Sequence, residues 1–266
     1  MKKNILFLAL LFFGLEFLQA QDRYFGRTYT SNVLSKGGID LELWHTSRFG
    51  HSNQFFHAMD QRIELEVGLG KDLQTAFYFN HFQQSYSDST GNIIHKTEAG
   101  FSNEWKWQID KPTSKMNVAL YGELGVKGDE IEFESKLILD RTFGKNLVAF
   151  NLVSELEYEF KRLNNKNRLQ LAQTPVEFDL AFMHFFKPQL GLGLEGVNHN
   201  DIVKGKINNS ILYAGPTLTY RGGTWFVIAN YLPQLVNLHK TPVSPFKRDL
   251  DNHERAEARI LLGFSL

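Results

Sequence analysis

Met59-Asp60-Gln61-Arg62-Ile63-Glu64-Leu65-Glu66-Val67-Gly68-Leu69 decides the fold class. Met59, Gln61, Ile63, Leu65, Val67 and Leu69 fall on one side of an extended chain, and Asp60, Arg62, Glu64, Glu66 and Gly68 on the other. Strict alternation of this kind is the mark of a strand with one oily and one polar face, because successive side chains of a strand point to opposite sides. The same split recurs in Ile131, Phe133, Leu137 and Leu139 against Glu132, Glu134, Lys136 and Asp140. It returns in Phe150, Leu152, Leu156, Tyr158 and Phe160 against Asn151, Glu155, Glu157 and Glu159.

Working outward, period-two segments predict strands at 38–48, 56–69, 73–82, 96–109, 116–126, 130–143, 146–160, 174–186, 190–198, 210–220, 224–232 and 253–266. The total is even, many strands exceed the usual globular length, and little helical periodicity lies between them. The connections alternate. Those near 70–72, 110–115, 144–145, 187–189 and 221–223 are short, and those near 49–55, 83–95, 161–173, 199–209 and 233–252 are long, with 127–129 the exception. This is the pattern of a transmembrane antiparallel up-and-down β-barrel of about 12 strands over 38–266, with periplasmic turns at one end and extracellular loops at the other. Trp105, Trp107, Tyr220 and Trp225 gather near the short-turn ends, and Phe55, Phe56, Phe82, Phe160 and Tyr231 near the long-loop ends, as two interfacial aromatic belts require.

The first residues add an export signal. Lys2 and Lys3 precede an apolar run from Ile5 to Leu15, and Ala20 offers a small residue for cleavage before Gln21. The run is shorter than the roughly 20 residues of a spanning helix, so residues 1–20 are read as a signal peptide and 21–37 as a short periplasmic lead-in. Losing Lys2, Lys3 and Glu16 leaves 27 basic and 28 acidic residues. That near-neutral balance gives nucleic-acid binding no electrostatic support. With no cysteine in the chain, a lipid-anchored cysteine, a disulfide framework and a cysteine zinc site are all excluded.

The chain ends on Ile260, Leu262, Phe264 and Leu266, an alternating strand running to the last residue. Its closing Phe264-Ser265-Leu266 resembles the C-terminal insertion signal of Gram-negative bacterial outer-membrane β-barrel proteins. Leu261 stands where that group usually has glycine, and Leu266 where it usually has an aromatic residue. The resemblance implies the outer membrane as location and its assembly machinery as a partner of the last strand.

Function is sought on the polar faces. They carry many carboxylates, whereas their basic residues are Arg62, Lys106, Lys136, Arg255 and Arg259. The expectation is a passive porin-like channel without cofactor whose acidic lumen favours cations, with Glu64, Glu66, Glu132, Glu134, Glu155 and Glu157 defining the field. The alternative is a closed structural or adhesion barrel acting through its outer loops. Basic residues there (Lys161, Arg162, Lys166 and Arg168; Lys240, Lys247 and Arg248) could dip inward as a plug or bind lipopolysaccharide phosphates.

A third reading is a barrel lipid hydrolase. His45-Thr46-Ser47 has the spacing of a histidine-activated serine on an outward face, but Arg48 and Gln61 depart from the hydrolase pattern it resembles. Metal chemistry is not expected, because the nine histidines are scattered and His199-Asn200-Asp201 reads as a solvated loop. Gly191 and Gly193 alternate within an apolar strand and are read as close-packing positions.

Overall fold

The computed structural model describes residues 23–109, 115–163, 166–241, 244–245 and 247–266; the signal-peptide assignment lies outside them. Twelve strands form one closed antiparallel barrel: β1 (Ile39–Phe49), β2 (Phe56–Gly70), β3 (Leu73–Ser87), β4 (Ile93–Gln108), β5 (Asn117–Lys127), β6 (Glu130–Phe143), β7 (Asn146–Leu163), β8 (Lys166–Lys187), β9 (Leu190–Val203), β10 (Lys206–Arg221), β11 (Trp225–Asn237) and β12 (Ala256–Ser265). Each strand pairs with its sequence neighbours. β1 closes the ring on β12 through partners such as Leu43↔Leu262 and Trp44↔Leu261. Closure leaves no open edge, so the backbone hydrogen bonds of the sheet are satisfied internally.

The register fixes which face is which. Ile63, Leu65, Phe77, Phe79, Phe101, Leu124, Phe133, Leu180, Leu194, Ile260 and Phe264 are all exposed on the outside. Their neighbours Glu64, Glu66, Tyr78, Ser102, Asp179 and Glu195 are buried inside. Trp105, Trp107, Tyr220 and Trp225 are exposed near the short-turn end, and Phe160 and Tyr231 near the other. Phe56 and Phe82, expected in the outer belt, instead turn inward, because they share the parity of Glu64 and Tyr78.

The hairpins reach further at the long-loop end than the sequence suggested. β7 runs to Leu163 and β8 starts at Lys166 within the expected loop 161–173, a two-residue connection at 204–205 replaces the expected loop 199–209, and β3 and β4 extend to a tip at 88–92. Lys204 and Gly205 hold φ of 50° and 75°, the left-handed pair that a tight two-residue turn needs, and Lys71 and Asp72 do the same at the opposite end. The long connections that remain are 50–55 and 238–255.

Residues 23–34, within the segment expected as a short periplasmic lead-in, run inside the barrel. Arg23, Phe25, Thr28, Tyr29, Thr30, Ser31 and Leu34 are all buried. The segment makes no strand of its own, so its backbone donors must find side-chain acceptors on the inner wall.

Candidate functional site: the barrel lumen

The N-terminal segment occupies the short-turn half of the lumen and is bonded across it to many strands. The backbone N–H groups of Gly26, Arg27 and Thr28 all donate to the Glu195 carboxylate of β9, at 3.1, 2.8 and 3.0 Å. Tyr29 N–H donates to Asn151 Oδ1 of β7 (2.6 Å), whose Nδ2 returns a bond to Tyr29 O (3.0 Å). Ser31 Oγ donates to Asp140 of β6, and Leu34 N–H to Gln74 of β3. Arg259 Nη1 closes the loop from the other side by donating to Gly26 O at 2.6 Å.

The wall that receives this segment is apolar where the segment is apolar. Phe25 sits among Leu147, Ala149, Ala181 and Met183, and Tyr29 among Ala119, Tyr121 and Ile138. Small alanines make room for the rings. A Cβ at Gly26 would run into the Asn230 side-chain amide, which itself donates to Glu195 at 2.7 Å, so a larger residue there would have to displace that amide.

Arg23 ends the described segment in an acidic nest. Its guanidinium lies 3.4 Å from Glu42, 3.7 Å from Glu64 and 3.9 Å from Glu66, and stacks 4.0 Å from the Tyr29 ring and 4.3 Å from the Trp44 ring. These three carboxylates are the group of described side chains close enough together to hold a metal ion, and the arginine supplies their positive charge. Arg27 points the other way, with ion pairs to Glu177 (3.1 Å) and Glu257 (3.7 Å).

Beyond the segment the lumen holds two cavities whose linings share Arg27, Asp60 and Glu177. The inner one, about 250 Å³, is lined by Asp60, Glu123, Glu132, Glu134, Glu155, Glu177 and Asp179 and by Arg27, Arg62, Lys127, Lys136 and Arg259. The outer one, about 440 Å³, is a vestibule beneath the loops, lined by His51, Asn252, His253 and Glu254 together with strand residues. There His199 presents Nδ1 to Glu177 (2.7 Å) and Nε2 to Asp201 (2.8 Å), and so lies on β9 instead of in a loop.

The six carboxylates singled out in the sequence separate into three environments. Glu64 and Glu66 are fully buried in the Arg23 nest. Glu132, Glu134 and Glu155 line the inner cavity. Glu157 accepts a bond from Gln173 Nε2 at 2.8 Å. Across the sheet, Glu104, Glu123, Glu134 and Glu155 are direct register partners on β4, β5, β6 and β7, a row of four carboxylates around the wall. Sequence reasoning missed Arg23, Arg27 and Tyr29, because it sought lumen residues on strands alone; two arginines and three aromatics in a segment without strand periodicity were the available signal.

The other expected features are equally definite. His45 Nε2 lies 3.0 Å from Ser47 Oγ, but Gln61, opposite His45 on β2, directs Oε1 to His81 at 3.2 Å. The dyad therefore has no third residue from that position to orient the imidazole. Lys161, Arg168, Lys240, Lys247 and Arg248 are exposed, and Lys161 pairs with Glu159. The element that fills the lumen is the N-terminal segment.

Residues 18–266 match a family described as "Family of unknown function (DUF6662)". The chain belongs to that family. No curated protein sequence matches this DUF6662 chain. In solved structures its fold is similar to that of the NanC porin (TM-score 0.53, 11% identity, 85% of this chain and 100% of that one) and the KdgM porin (0.52, 8%, 85% and 99%). It is similar also to the translocator domain of the autotransporter NalP from Neisseria meningitidis (0.55, 11%, 85% and 88%). These structural similarities show the β-barrel fold that the chain shares with outer-membrane porins and a translocator, and none of these neighbours indicates an enzyme family.

Proposed function

We propose that this DUF6662 chain is an outer-membrane channel for small cationic or neutral solutes, narrowed at its short-turn end by its own N-terminal segment. The row Glu104–Glu123–Glu134–Glu155 carries this reading. Like charges directly opposite one another in a sheet destabilise it. In a lumen with low-dielectric walls the same row concentrates cations and repels anions. The similarity to porin folds and the two cavities are consistent with a solute path.

In this reading the chain is exported by cleavage after Ala20, and β12 presents the C-terminal signal to the assembly machinery. Trp105, Trp107, Tyr220, Trp225 and Phe160 anchor the two membrane interfaces. Exposed Lys240, Lys247 and Arg248 meet lipopolysaccharide phosphates. The test is the reversal potential of the refolded chain in a planar bilayer under a KCl gradient. Cation preference that weakens in Glu134→Gln supports the channel; anion preference removes it.

A second reading, a closed structural barrel, is favoured by the density of bonds to the segment, three of them to Glu195 alone. It requires that removal of the segment leave the barrel non-conducting.

A further inference from the structure

The lumen shows how it holds positive charge. Arg23 lies between the rings of Tyr29 and Trp44 and against Glu42. Lys136 lies 4.0 Å from the Tyr29 ring and 2.8 Å from Glu134. Lys127 lies 4.9 Å from the Phe82 ring and 2.8 Å from Glu130. In each case a nitrogen cation sits between an aromatic face and a carboxylate, the arrangement that combines cation–π attraction with a charge-assisted bond.

Two carboxylates of the inner cavity, Asp179 and Glu155, have no ion pair among the described residues. Asp179 on β8 is 3% exposed, lines the inner cavity, and has an oxygen with no hydrogen-bond partner. Glu155 lines the same cavity from β7. The nearby cations are committed elsewhere: Arg27 to Glu177 and Glu257, Lys136 to Glu134. A buried carboxylate without a partner is costly, so the position favours an incoming donor of positive charge. Trp44, Tyr29 and Phe82 supply aromatic wall to the cavity. Its volume of about 250 Å³ is several times the roughly 30 Å³ that one water takes in the liquid.

We infer that the cavity at Asp179 and Glu155 is a binding site for a small organic cation, a guanidinium or primary alkylammonium whose N–H groups meet the carboxylates. A bare metal ion fits less well, because the carboxylates that converge on a single point are those already held by Arg23. This deepens the channel reading by naming a solute class and rests on it for its physiological meaning.

The experiment is calorimetric titration of the refolded chain in detergent with methylguanidinium, with methylurea as the neutral analogue and tetraethylammonium as a cation without N–H donors. Saturable binding of methylguanidinium alone is expected, weakened at least about tenfold in Asp179→Asn, as the loss of a charged hydrogen bond implies. Glu155→Gln should weaken it too, and the remote loop change Asp88→Asn should not. Equal affinity in wild type, Asp179→Asn and Glu155→Gln, or equal binding of methylurea, overturns the site. Equilibrium binding needs no conduction. Binding without conductance therefore removes only the channel reading, and cation-selective conductance without Asp179-dependent binding removes only this site.

Discussion

The two halves of the lumen are built from the same strands and solve the same electrostatic problem differently. In the short-turn half, the carboxylates Glu42, Glu64 and Glu66 are buried and their counter-charge is Arg23, delivered by a segment of the chain that fills the space. In the long-loop half, Asp60, Glu132 and Glu134 face cavities and pair with Arg48, Lys127 and Lys136 from their own sheet. The inner wall follows suit, small and apolar around Phe25 and Tyr29 and polar beyond Arg27. An acid-rich strand face thus does not by itself make an open pore; what occupies the space decides.

The sharpest way to break this contrast is to remove one cation from each half. Arg23→Met leaves three buried carboxylates without their arginine and should cost about 3–5 kcal/mol, the penalty for breaking a buried ion pair. Arg48→Met breaks a pair with Asp60 in which both side chains are a quarter or more exposed, and should cost under about 1 kcal/mol. Urea unfolding from detergent or lipid measures both, and equal losses would erase the distinction.

Next in size is Gly26→Val, whose side chain would collide with Asn230 and lift the segment from Glu195. The expected loss is about 1–3 kcal/mol, with an accompanying rise in conductance. Unchanged stability and conductance would mean that the segment tolerates displacement there.

Glu155→Gln with Glu157→Gln should lower the preference for K⁺ over Cl⁻ in reversal-potential measurements. Glu155 should contribute most, because Glu157 is engaged by Gln173 outside the inner cavity. If Glu157→Gln alone reproduced the whole effect, the field would have to be centred nearer the vestibule.

The smallest effect concerns pH. Burial holds His51 and His253, both in the connections over the vestibule, below the usual imidazole range, against an opposing pull from Glu254. Both are therefore neutral above about pH 6.5 and gain charge only as pH falls through their lowered values. The stability they lend by being neutral is complete above that pH and lost below it. Added positive charge at the mouth should reduce cation preference on acidification, and a double change of His51→Gln and His253→Gln should blunt that step.

The barrel was legible because alternation is enforced wherever one face meets lipid and the other the interior; Met59–Leu69 alone shows it. The hairpin tips were not, since beyond the oily band nothing obliges residues such as Lys166–Gln173 or Asp201–Asn209 to alternate, and they pair all the same. Trp105, Trp107, Tyr220 and Trp225 are exposed near the short turns, while the inward turn of Phe56 and Phe82 could be read only from parity, which proximity to a loop ignores. The segment 23–38 was illegible as a plug, because its order comes from side-chain acceptors scattered over β3, β6, β7 and β9 and from no period of its own.

The most direct test is a pair of single-channel recordings, one of the refolded chain beginning at Gln21 and one lacking residues 23–34. The account predicts that deletion raises conductance several-fold while keeping cation preference. Identical conductance in the two proteins would contradict it.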